Sequence, residues 1–147
     1  MKRIPGMKNA VTAQNIVALL LSAALLTPIS HAQNNEAVMQ TAANVPYVSG
    51  GIGIDSIDRL DTMAGQFNLK LVFALKSGEY LSDVKVTITD AAGKAIVDTM
   101  SDGPWFLTKL RPGNYQIAAS FAGNTERRTV AVGAARLNTV DFRWVSE

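Results

Sequence analysis

From Phe67 to Trp144, apolar side chains recur at every second position in short runs, each closed by Gly, Pro, Asn, Asp or Ser. Successive side chains of an extended backbone point to opposite faces, so this period predicts strands with one face toward a core. The clearest run sets Phe67, Leu69, Leu71, Phe73 and Leu75 on one face. Asn68, Lys70, Val72, Ala74 and Lys76 take the other. Val84, Val86 and Ile88 follow, then a less regular return strand, Ala95–Met100, expected at an edge. Trp105 and Leu107 oppose Phe106, and Tyr115, Ile117, Ala119 and Phe121 alternate with Gln116, Ala118 and Ser120. Arg128, Val130 and Val132 oppose Thr129 and Ala131; Val140, Phe142 and Trp144 oppose Thr139, Asp141 and Arg143.

The segments between these runs carry turn chemistry. Ser77-Gly78-Glu79 and Gly123-Asn124 are short turns, and Asp90-Ala91-Ala92-Gly93 offers glycine for the left-handed position of a hairpin. Ser101-Asp102-Gly103-Pro104 turns again, and its proline cannot donate to a ladder, so a strand starts after it. Arg111-Pro112-Gly113-Asn114 has the Pro-Gly order of a type II turn. Upstream, residues 55–66 predict a short helix capped by Asp55 or Ser56 and ended by Gly65, placed over an edge or end of the sheets. Asp58 suits the positive end of that helix. Pro46 opens the ordered domain, residues 46–147, with Tyr47-Val48 as a short edge strand. Residues 33–45 are polar and Ala-rich and read as a flexible lead-in. About seven short antiparallel strands with frequent turns predict an all-β sandwich with one short N-terminal helix. No helices alternate with the strands, which excludes a parallel α/β fold.

Asp102-Gly103, Trp105, Leu107, Leu110, Pro112-Gly113 and Tyr115 form a series whose spacing resembles that of the carboxypeptidase regulatory-like domain. Gly78, Val84, Val86, Asp90 and Gly93 fit the strands before it. The resemblance covers roughly residues 69–132. It implies a seven-stranded antiparallel, prealbumin-like (transthyretin-type, Ig-like) β-sandwich in a secreted bacterial stand-alone form. Two features depart from the family pattern: Pro104-Trp105 stands where Phe is usual, and the Ser49–Gly53 stretch with its following helix is an addition. The histidines on which transthyretin-related hydrolases depend are missing, so that activity does not carry over. The resemblance says little of function, because such domains occur as non-catalytic appendages and as separate proteins.

Composition adds a compartment and several exclusions. Residues 1–32 have the layout of a signal peptide: Lys2, Arg3 and Lys8, an apolar run from Ile16 to Leu26, Pro28, and Ser30-His31-Ala32 before a cut at Gln33. The apolar run is too short to span a bilayer, which takes about 20 residues. Met7 offers an alternative start, and an uncleaved anchor is the alternative fate. The expected product is periplasmic or secreted, with no transmembrane span after signal removal. The formal net charge of +2 is carried by the leader: of 14 basic residues, Lys2, Arg3 and Lys8 lie there, leaving 11 against 12 acidic ones. The remainder lacks the positive field that nucleic-acid binding needs. The sequence contains no Cys, which rules out a lipoprotein anchor, a disulfide and a thiol nucleophile.

His31 is the only histidine, so the chain after the leader lacks Ser-His-Asp and Cys-His catalysis and His-based zinc sites. Gly50-Gly51-Ile52-Gly53 lacks the strand–loop–helix context of a phosphate loop and reads as a structural loop. Asp55, Asp58 and Asp61 fall at helical spacing, unlike the alternate residues of a calcium loop. Asp83, Asp90 and Asp102 belong to turns. Lys76 and Ser77 are adjacent and point apart on a strand, which argues against a Ser-Lys pair. No catalytic residue, metal or cofactor is expected. Among aromatics, Phe142 and Trp144 read as core, Tyr115 as packed with its hydroxyl on backbone, and Tyr47 as a lesser candidate. Tyr80 and Trp105 are the possible contacts for a ligand or partner, Trp105 with the balance toward core. The sequence thus leads to a non-catalytic envelope binding protein that recognises a protein partner through an edge strand or loop surface. The alternative is a glycan-binding module stacking sugars on Tyr80 and Trp105. A carboxylate-only hydrolase is a third reading, which requires two acids facing each other across a cleft.

Overall fold

The computed structural model describes residues 39–146, and the expected leader lies outside the described residues. Nine strands form: β1 (Gln40–Ala42), β2 (Val45–Gly50), β3 (Leu69–Leu75), β4 (Lys85–Thr89), β5 (Ala95–Met100), β6 (Trp105–Thr108), β7 (Gly113–Phe121), β8 (Asn124–Val132) and β9 (Asn138–Trp144). They make a five-stranded sheet in the order β1-β2-β6-β3-β9 and a four-stranded sheet in the order β5-β4-β7-β8. The all-β, two-sheet expectation is met. The count of seven is corrected to nine, and one pair, β3 with β9, is parallel.

Of the two additional strands, β2 contains the Tyr47-Val48 edge strand expected from the sequence, and β1 comes from residues whose apolar pattern is too weak to announce it. Gln40–Ala42, within the stretch read as a lead-in, pairs with β2 around a turn at Ala43 and Asn44, both at positive φ. Tyr47 and Val48 therefore lie inside the sheet, between β1 and β6, and not at its edge.

The core follows from the period-two pattern. Leu71, Phe73, Phe106, Phe142 and Trp144 of the larger sheet face Val86, Ile88, Val97, Ile117 and Ala119 of the smaller, all buried in one cluster. Tyr47 stacks on Phe106 at 4.9 Å, and its hydroxyl donates to Gln40 Oε1 at 2.8 Å. Tyr47 is thus a core residue and not a ligand platform. Tyr115 donates its hydroxyl to the Arg111 carbonyl at 2.7 Å, as its position beside Pro-Gly suggests.

The other face of the five-stranded sheet is also covered. The helix α1 (Ile54–Met63), continued by a 3-10 turn at Ala64–Gln66, buries Leu60 against Val48, Leu107 and Phe67. It lies over a sheet face, not over an edge or end of the sandwich. Its N-cap is Gly53, with no side-chain cap, which corrects the expectation of Asp55 or Ser56. Ser56 instead accepts from the Gly51 amide at 2.9 Å, tying the preceding loop to the first turn.

Turn chemistry is met at Gly93, whose φ is positive, with Asp90 Oδ1 accepting from the Ala92 and Lys94 amides. It fails at Pro112-Gly113. Gly113 is absent from the positive-φ glycines and is the first residue of β7, paired with Val132, so no type II turn forms. Gly103 serves a close approach: a Cβ there would run into the Gly50 carbonyl. Asn68, fully buried, donates to the carbonyls of Leu110 (2.7 Å) and Gly133 (2.8 Å) and accepts from the Leu110 amide (2.8 Å). One side chain thereby joins the segments before β3, before β7 and after β8.

Candidate functional site

Register fixes which loops share an end of the sandwich. β2 and β3 both run antiparallel to β6, and β9 runs parallel to β3. The last residues of β2, β3 and β9 therefore finish at the same end, called here the Gly50 end. In the second sheet Lys85, Met100 and Ser120 share the terminal row. The Ser101 amide donates to the Val84 carbonyl, and Ser49 Oγ accepts from the Asp102 amide at 2.9 Å, so this row belongs to the Gly50 end too. The opposite end carries the turns at 43–44, 90–94, 109–112 and 133–137.

Tyr80 and Trp105 lie toward the Gly50 end, on the outer face of the larger sheet. Trp105 pairs with Val72 and Tyr80 bridges Ala74, so the two aromatics stand over successive outward positions of β3. Leu81, next to Tyr80, points into the core. Tyr80 is 59% exposed. Trp105 is half-buried and enclosed. From the β2 side the Gly51 backbone is so close that a Cβ there would sit 3.1 Å from Trp105 Cγ. From the β3 side the Lys70 ammonium lies 3.1 Å from the ring centroid, a cation–π contact. A sugar would have to displace Lys70 to stack on this ring.

Burial beside Trp105 pushes the Lys70 ammonium below the ordinary lysine pKa, an effect opposed by the charges of Asp61 on α1 and Asp141 on β9. Of these acids Asp141 faces Arg143 at 3.7 Å. Asp55, Asp58 and Asp61 are all exposed along the helix. Among the described residues no group of three His, Cys, Asp or Glu is placed to hold a metal ion. Lys76 and Ser77 are exposed at the turn after β3.

The sequence reading missed a larger feature. Six large apolar side chains stand exposed among the described residues: Met39, Ile52, Ile54, Tyr80, Met100 and Val145. Ile52, Ile54, Tyr80, Met100 and Val145 lie at the Gly50 end, whereas Met39 precedes β1, whose Gln40 is level with Tyr47, Thr108 and Leu69. Ile52 is 65% exposed on a loop whose Gly51 and Gly53 have positive φ, and Ile54, the first residue of α1, is 76% exposed. The loop is held by the Ser56–Gly51 and Ser49–Trp105 hydrogen bonds and by the Gly50–Gly103 contact. The signal was available: Ile52 between two glycines and Ile54 just after the second, both outside any strand period, have no core to enter. A scan against protein-family models finds none that matches the chain, and a search of curated proteins finds none similar to it.

Proposed function

We propose that this chain is an exported, periplasmic, non-catalytic binding protein built on a prealbumin-like sandwich, and that it recognises a protein partner through the loops of the Gly50 end. The observation that carries the reading is the collection of exposed apolar side chains at that one end. Single exposed apolar residues are ordinary on a monomer, whereas several gathered at one end of a sandwich favour an interaction surface there. The motif spacing from Asp102 to Tyr115 and the division of the strands into two sheets support the prealbumin-like assignment. The leader pattern of residues 1–32 supports export.

Edge-strand recognition has less support than loop recognition. β1 has only three residues, β5 pairs through a register shift at Ile88/Thr89, and β8 turns Glu126 and Arg128 toward the core side. Short edges, irregular pairing and inward charges are features that block strand addition. Photocrosslinking in cells tests the reading. A photoreactive residue at Ile52 is expected to give a discrete adduct, and one at Thr129, on the outward face of β8, none. Equal labelling from both positions, or none from Ile52, overturns it. Titration with envelope glycans is expected to leave tryptophan emission unchanged.

A further inference from the structure

The two ends of the sandwich differ in charge as well as in apolar exposure. At the Gly50 end the exposed acids are Asp55, at the start of α1, and Glu79, Asp83 and Asp102 in loops, against Lys76 and against Arg143, which faces Asp141 at 3.7 Å. Lys85, in the terminal row, is paired with Asp98 at 2.7 Å. At the opposite end the exposed charges are Lys94, Lys109, Arg111 and Arg136. Among the described loop residues of that end Asp90 is the one acid, and it spends its Oδ1 on backbone amides of its own turn. That end also exposes small apolar residues: Ala91, Ala92, Pro112, Ala134 and Ala135. One end is thus acidic with large apolar side chains, and the other is basic with small ones.

Resting on the binding reading above, we propose that the occupant of the Gly50 end is the basic end of a second copy of this chain, giving head-to-tail association. The two surfaces complement each other in charge and in the size of their apolar residues. A Gly50 end placed against another Gly50 end would oppose acid to acid. A heterologous contact of this kind extends into a linear array unless its rotation closes a ring. The end of a sandwich, two sheets about 10 Å apart and five strands about 4.8 Å apart, offers less than the roughly 800 Å² per partner of a standard stable interface. The association is therefore weak and concentration-dependent. Its charges are solvent-exposed, so salt weakens it.

Sedimentation velocity of the purified exported protein over a hundredfold concentration range tests this. The sedimentation coefficient is expected to rise with concentration at low salt and much less at molar salt. Ile52→Lys, which spoils the acidic apolar end, and the double variant Arg111→Glu/Arg136→Glu, which spoils the basic end, are each expected to be monomeric. Their equimolar mixture is expected to stop at a dimer, because each supplies the end the other lacks. Tyr80→Lys serves in place of Ile52→Lys if that variant melts early. A wild-type chain that stays monomeric throughout overturns the inference. So does self-association of the Arg111→Glu/Arg136→Glu variant alone, which would mean that like ends meet. A monomeric wild type that still gives a discrete Ile52 adduct in cells loses this inference and keeps the binding reading.

Discussion

Asn68 shows how one polar side chain can set a junction. It sits beside Phe67 at the start of the most apolar strand, and the sequence places it on an outward face with Lys70 and Lys76. In the structure it is wholly enclosed, and its amide meets three backbone groups. Truncation would strand a buried amide and carbonyl groups of Leu110 and Gly133. Asn68→Ala is expected to lose about 3 kcal/mol of stability, the scale of leaving buried polar groups unpaired. Asn68→Asp should lose more at neutral pH, since a carboxylate would replace the donor facing two carbonyl oxygens. Urea denaturation of both variants checks this ordering. Lys70 makes a different prediction. Its pKa is lowered on folding, so the unfolded chain binds this proton more tightly, and stability rises with pH through the window below 10.5. Replacing it with Met removes that contribution. Wild type is expected to gain on Lys70→Met in urea midpoint between neutral pH and pH near 10; a constant difference between the two would refute the assignment.

At the scale of elements, the sequence was most legible where pattern and packing agree. The strands from β3 to β9 announce themselves because one face of each meets a core, and Gly93 announces its hairpin. The failures have physical reasons. β1 is polar and β2 carries Pro46, so of the two only Tyr47-Val48 is legible as a strand. The helix cap was misread because the chain enters the helix through Gly53 at φ 80°, a conformation that favours glycine, and Ser56 holds the Gly51 amide instead of a helix amide. Pro-Gly at 112–113 reads as a turn, but pairing with Val132 draws Gly113 into β7. Of the two site candidates, Tyr80 is exposed as read, while the half-burial of Trp105 depends on Lys70 and Gly51, neither adjacent in sequence. The turn between β7 and β8 also hid a cost. Phe121 pairs with Asn124, and Ala122 and Gly123 both have positive φ, the geometry of a type I′ hairpin. Alanine disfavours that region, whereas asparagine tolerates it. Ala122→Asn is therefore expected to stabilise the protein by about 0.5–1 kcal/mol, seen as a higher melting temperature with unchanged cooperativity.

For the whole molecule, the edges matter as much as the core. β8 is the outermost strand of its sheet, and its register sets Glu126 opposite Ala119 and Arg128 opposite Ile117, on the side that faces inward. Arg128 reaches over the Phe142 ring at 5.5 Å and meets Glu126 at 3.2 Å. This arrangement covers the gap between β8 and β9 with charge, and an incoming strand would bury both groups. Replacing Glu126 and Arg128 together with Val would leave a long, flat apolar edge. The double variant is expected to aggregate faster at moderate temperature, measured by light scattering. An aggregation rate equal to wild type would show that the edge is guarded by something else.

The parallel pairing of β3 with β9 has a consequence for the order of events during synthesis. Leu71 lies beside Val140 and Phe73 beside Phe142, so β3, which lies between β6 and β9, acquires its second neighbour only after every intervening strand has been made. Contacts this distant along a chain form slowly, because loop closure precedes any reward. Until β9 arrives, Phe73 lacks Phe142 and Trp144, the rings packed about 6 Å from it. A nascent chain of this design remains open until its last strand emerges. Under the proposed export, in which the chain threads a membrane channel unfolded, delay of that kind would be an advantage: the sandwich would close on the far side, once the whole of it had crossed.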